Sequence, residues 1–181
     1  MAKKTDRKTI DVTFTLLGLV LAVFLFIAGC LAMYTYKFTT TTVRDELVAQ
    51  KIFFPPAGSA GLSAKEFPEL QKYGGQQVDD GIKAKAYANG FIGRHLEKVA
   101  GGKTYSEVST LAKADPKNTT LAAQKQSLFM GETLRGLLLG DGYAYWTIGI
   151  VAYYAALLAF VSSAVMLILV LLGYRQVKQA K

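Results

Sequence analysis

Residues 12–33 read VTFTLLGLVLAVFLFIAGCLAM, and no formal charge interrupts the chain from Val12 to Tyr36. The hydrocarbon core of a bilayer is about 30 Å thick and takes roughly 20 apolar residues of helix to cross. This stretch is long enough, and Tyr34, Tyr36 and Phe38 follow it as the aromatic belt expected at a water boundary. Residues 142–174, GYAYWTIGIVAYYAALLAFVSSAVMLILVLLGY, repeat the pattern without a charge, with Tyr143, Tyr145 and Trp146 at the entry and Tyr174-Arg175 at the exit. A soluble domain of 181 residues has no core large enough to hide both segments. The sequence therefore predicts an all-α membrane protein of two antiparallel transmembrane helices. The first is 12–36; the second is 142–174, including its outer interfacial lead-in. Residues 37–141 form a helical domain between them, outside the cytoplasm. A membrane-spanning strand barrel is excluded, because closure takes at least about eight strands.

Charge sets the orientation. The chain holds 21 Lys and Arg against 13 Asp and Glu, a net +8, yet only 19% of its residues are charged, below the usual value of about 25%. The tail 1–11 carries Lys3, Lys4, Arg7 and Lys8 against Asp6 and Asp11, and the tail 175–181 carries Arg175, Lys178 and Lys181 with no acid. Basic flanks stay cytoplasmic, which places both termini in the cytoplasm and residues 37–141 on the outer side of the membrane. The basic excess sits where anionic lipid headgroups are its natural partners, so it gives no reason to expect nucleic acid. A competing reading takes Ile27-Ala28-Gly29-Cys30 as a lipobox whose cysteine is lipidated after cleavage. Leu31-Ala32-Met33 extends the apolar run past that point, and the run before it exceeds the roughly 7–15 residues of a signal peptide. The uncleaved span is the favoured reading.

The outer segment reads as short helices separated by breaks. Thr39 to Lys51 continues the first span until Pro55-Pro56, which cannot sustain a helix. Ser63 to Tyr73 is expected as a short helix. Val78, Ile82, Ala86, Ala88, Ile92, Leu96 and Val99 then recur at mostly helical spacing up to Gly101-Gly102. Thr104 with Glu107 fits a capping box, and the helix it opens ends at Asp115-Pro116. Asn118-Thr119-Thr120 starts another, Leu121 to Leu139, stopped at Gly140-Asp141-Gly142.

Catalytic material is sparse. Gly102-Lys103-Thr104 invites a phosphate-loop reading, but the motif needs a glycine where Glu97 stands. His95 is the only histidine and Cys30 the only cysteine, too few for a transition-metal site of three or four ligands. Asp79 and Asp80 lack the surrounding ligand loop of a calcium site, and they and Asp45-Glu46 read as solvated faces. No Gly-x-Ser-x-Gly elbow is present. The chain is read as a non-enzyme without a cofactor. Glu132 and Arg135, three apart, suit an intrahelical ion pair, or together with His95 a contact to a partner or a lipid headgroup.

The second span carries small residues, Gly149, Ala152, Ala156, Ala159 and Ser163, at steps of three and four, and Gly18, Ala22 and Gly29 do the same in the first. In lipid, small residues let helices approach closely. The stripe serves either packing of the two spans on each other or docking on a foreign helix, including self-association through the second span. Neither span has an ionisable group at its centre, which argues against a proton or ion path.

Several outer motifs resemble a group of actinobacterial two-span membrane proteins with a helical outer domain. They are Lys51-Ile52; Ala86-Tyr87-Ala88 with Ile92 and His95-Leu96; Gly102-Lys103-Thr104-Tyr105; and residues 128–139, LFMGETLRGLLL. The resemblance implies a plasma-membrane protein of a Gram-positive, high-GC bacterium and supplies no activity. Some such proteins carry an aromatic-ring-opening dioxygenase label, and that chemistry needs a metal centre that a single histidine cannot supply. The expected role is a non-catalytic accessory or scaffolding subunit of a larger membrane complex, respiratory or cell-envelope, capping it outside. The alternative is an outer binding module for a lipid or small hydrophobic ligand.

Overall fold

The computed structural model describes residues 2–179, with side chains from residue 7. Lys181 and the side chains of Lys3, Lys4 and Asp6, used above to orient the tails, lie outside the described residues. Helix α1 runs from Ala2–Gln50; a 3-10 turn, Pro68–Tyr73, follows. Helix α2 (Gly81–Lys85) passes through a π-helical segment, Ala86–Ile92, into α3 (Gly93–Ala100). Helices α4 (Tyr105–Ala114) and α5 (Thr119–Leu137) come next, and a second π-helical segment, Leu138–Ala144, leads into α6 (Tyr145–Gln179). No strand occurs among the described residues; Phe53 and Gln77 form one isolated bridge. Two helical stretches, Arg7–Gln50 and Thr119–Gln179, are long and apolar enough to cross a membrane. The chain divides into two compact units, one of 1–38 with 149–181 and one of 39–148.

In the first unit the two helices meet through small residues. Ala22 and Ala156 are fully buried and Ser163 nearly so. The Ser163 hydroxyl donates to the Ala22 carbonyl at 2.8 Å, a bond between helices worth about 0.6 kcal/mol in lipid. Gly29 leaves room for the Phe160 ring, Gly18 for Val170 and Gly173 for Thr15; a Cβ at Gly29 would lie 2.7 Å from Phe160 Cε1. Phe26 packs on Phe160 and Tyr36 on Tyr153, with ring centroids 5.7 and 5.0 Å apart. The remaining surface is apolar and open: only 11% of the most apolar window of each long helix is buried.

The second unit has a core of its own. Phe54, Leu62, Leu70, Val78, Val108 and Leu138 are almost completely hidden. The capping box forms as the spacing predicts: Glu107 N–H donates to the Thr104 hydroxyl at 3.3 Å, and Thr104 N–H to the Glu107 carboxylate at 2.7 Å. Gly101 adopts φ 59° in the left-handed region and ends α3, and the Asn118 side chain caps α5.

Three expectations are corrected. Ser63 to Tyr73 is not one helix: only Pro68–Tyr73 is helical, as a 3-10 turn. The proline ring disfavours helical geometry in the residue before it, and Phe67 sits at φ −126°, ψ 57°. Val78 does not lie on the helix whose stripe it seemed to begin; its N–H donates to the Ile52 carbonyl at 2.9 Å, and the helix starts at Gly81 with Asp80 as its cap. Gly140-Asp141-Gly142 is not a break, since the helix widens there to π geometry and continues. Gly142 serves packing instead: a Cβ on it would lie 3.0 Å from Ala84 Cβ. Its partner across the same contact is Gly81, which accommodates Trp146.

Candidate functional site

The small-residue stripe is occupied by the chain itself. Ala156 and Ser163 are buried, with Ser163 bonded to the first helix, and Gly149 is buried as well; Ala152 and Ala159 are half-buried. The packing alternative accounts for these contacts.

Glu132 and Arg135 pair with each other, and among the described residues no hydrogen bond or ion pair joins His95 to either. Arg135 Nη1 pairs with both oxygens of Glu132 at 2.9 and 3.0 Å. Its Nε donates to the Ala88 carbonyl and its Nη2 to Asn89 Oδ1, each at 3.2 Å. The guanidinium thus fastens α5 to the first π-helical segment. His95 is exposed and packs on Phe91 with the rings tilted by 38° and their centroids 5.5 Å apart.

Asp79 and Asp80 are engaged rather than merely solvated. Asp80 accepts from Lys83 N–H at 2.8 Å and caps α2, while Asp79 holds Lys83 Nζ at 2.5 Å. The hydrogen bond from Lys83 sets the Asp79 carboxyl below its ordinary value. Burial works against the Lys83 charge, but its bonds and proximity to Asp79 and Asp80 outweigh that and raise its pKa. Burial alone pushes the Tyr87 phenol up. Among the described residues no group of three or more His, Cys, Asp or Glu side chains is placed to hold a metal ion.

A feature the sequence reading missed is an open groove of about 430 Å³ between the 3-10 turn and the α2 face. Leu70, Ile82 and Gly90 contribute apolar lining, and Lys72, Lys85 and Asn89 add polar groups. Gly90 keeps the wall thin, because a Cβ there would lie 3.0 Å from Leu70 Cδ2. Lys72 sits over the Tyr73 ring at 4.9 Å and Lys85 over the Tyr143 ring at 4.3 Å. Neither ammonium has a carboxylate within ion-pair distance among the described residues. Glu69, the acid of the lining, is tied to Arg94 at 2.7 Å. The groove thus combines an apolar lining with two uncompensated cations, which suits an amphiphile with an anionic end. Its residues come from separate segments, and no spacing in the sequence marks them as neighbours.

No protein-family model, curated protein or solved structure matches this chain.

Proposed function

We propose that the protein is a non-catalytic accessory subunit of a larger bacterial plasma-membrane complex, anchored by two antiparallel spans and capping its partner with the outer domain. The observation that carries the reading is the open apolar surface of the two long helices, of whose most apolar windows 11% is buried. Two helices joined through one narrow seam leave most of that surface for lipid or for other membrane helices. The contacts Thr15 with Gly173, Gly18 with Val170 and Gly29 with Phe160 support the antiparallel arrangement, since the numbers rise along one helix as they fall along the other. The basic flanks support cytoplasmic termini. Extraction from native membranes in mild detergent, through a tag after Lys181, tests the role. An integral membrane partner recovered in fixed stoichiometry is the expected result; a protein that always runs alone sinks it.

The groove favours a second reading, an outer module that holds an anionic lipid or other amphiphile between Lys72 and Lys85. Native mass spectrometry of the detergent-solubilised protein separates the two. A retained anionic lipid that disappears in the Lys72→Ala, Lys85→Ala double variant supports the module, and an unliganded wild-type protein removes it.

A further inference from the structure

The groove between the 3-10 turn and α2 lies wholly within the unit of residues 39–148, and its polar lining is one-sided. Glu69 is the one acid among the lining residues, and Arg94 balances it at 2.7 Å. Lys72 and Lys85 have no carboxylate within ion-pair distance among the described residues, so they leave the lining with two positive charges. Lys85 spends one of its three donor protons on the Tyr143 hydroxyl at 3.1 Å and keeps the others. Asn89 adds a third donor group. A guanidinium can only donate, so the part of the Asn89 amide that faces Arg135 Nη2 at 3.2 Å is its oxygen. Arg135 is itself held by the Glu132 carboxylate and the Ala88 carbonyl. The Asn89 amide is thereby oriented, and its NH2 has no partner among the described residues. Beside these donors the groove is apolar: Leu70 lines it, and Ile82 is 52% exposed there.

We infer that this groove binds a single-chain phosphomonoester, with its head against Lys72, Lys85 and Asn89 and its chain along Leu70 and Ile82. The inference narrows, and rests on, the reading of the groove as a site for an anionic amphiphile. Charge selects the head. A phosphomonoester carries about −1.5 to −2 at pH 7 and presents three strong acceptor oxygens, which matches two cations and three donor side chains. A carboxylate, sulfate or phosphodiester brings one negative charge and leaves one ammonium uncompensated. Volume selects the chain. The groove measures about 430 Å³, and at about 30 Å³ for each atom of water size it holds about 14 of them. That is enough for a phosphate and a single chain of about nine carbons, and too little for the body of a two-chain lipid.

The test titrates the full-length protein, in nanodiscs of phosphatidylcholine, with octyl phosphate at about pH 8, where the phosphate is a dianion; the heat from empty discs is subtracted. Saturable one-to-one binding is expected. Octyl sulfate, with the same chain and one charge, binds at least tenfold more weakly, and so does ethyl phosphate, with the same head and little chain. The Lys72→Ala, Lys85→Ala double variant loses binding at an unchanged thermal midpoint. Asn89→Asp keeps an acceptor for Arg135 but removes the donor, and weakens binding at least tenfold; Lys113→Ala leaves it unchanged. Phosphatidic acid, the same head on two chains, is added to the discs and is not retained in native mass spectrometry. If octyl sulfate or ethyl phosphate binds as tightly as octyl phosphate, and the double variant loses both, the phosphomonoester class is wrong while the amphiphile reading stands. Phosphatidic acid retained by the wild type and lost by the double variant likewise leaves that reading and removes the single-chain ligand. If no anionic amphiphile binds, or binding survives in the double variant, both fall.

Discussion

At the scale of single residues, the unit formed by residues 39–148 depends on short polar contacts whose protonation can be followed. Glu107 accepts hydrogen bonds from the Thr104 amide and hydroxyl, and these bonds hold its carboxyl below the ordinary carboxylate range. A carboxyl lowered in the folded state contributes stability that is fully present above its unfolded value. That contribution is lost as pH falls through the folded one. Glu107→Gln removes the titration while keeping the shape. The wild type is expected to melt above the variant at about pH 7, with the gap closing as pH falls from the ordinary carboxylate range through the lowered folded value. Circular-dichroism melts across that range check it, and a gap that does not depend on pH overturns the assignment. The capping box was plain in the sequence because Thr104 and Glu107 are local and three apart. The groove cations Lys72 and Lys85 were not, because what distinguishes them is the absence of a nearby carboxylate, which only the assembled domain reveals.

At the scale of elements, what was legible followed from where the energy lies. The charge-free runs declare the two long helices, and local caps declare the starts of α4 and α5. The helix break expected at Gly140-Asp141-Gly142 failed because glycine at a close contact and glycine at a chain break look identical in a sequence. Here the helix stays continuous by widening to π geometry, while Gly142 and Gly81 admit Ala84 and Trp146. That double contact joins α2 to the second π-helical segment and the first turn of α6, and Trp146 is the only tryptophan in the chain. A Cβ at position 81 would collide with the Trp146 side chain near its root, where rotation gives little relief. Gly81→Ala should therefore cost about 1–3 kcal/mol and shift the Trp146 emission towards that of an indole in water. An unshifted spectrum with unchanged stability shows the contact to be slack. Arg135, at the other π-helical segment, was legible only as a partner of Glu132. Its bonds to Ala88 and Asn89 depend on a crossing of helices that no sequence spacing announces.

At the scale of the whole chain, the proposed role requires a particular placement in the membrane, and this can be tested without knowing any partner. The two ends carry Arg7, Lys8, Arg175 and Lys178 beside apolar helices, whereas residues 37–141 mix 14 basic with 11 acidic side chains. Basic flanks resist translocation, so the proposed topology puts both ends on the cytoplasmic side and Lys113 on the other. Cys30 is the only cysteine, and replacing it by serine gives a background on which single cysteines report their side. With Cys30→Ser, a cysteine at Lys113 is expected to react in intact cells with a membrane-impermeant maleimide. One at Gln176 should react only after the membrane is opened. Replacing Arg175 and Lys178 by glutamine weakens the signal that holds the second flank inside, so part of the Gln176 cysteine population becomes reactive from outside. The reverse labelling pattern would put the outer domain in the cytoplasm, where it could not cap a complex from outside. Reaction of both positions in intact cells would mean that a single span separates neither from the medium. Only the expected pattern leaves residues 39–148 on the side of the membrane from which the proposed subunit would cap its complex.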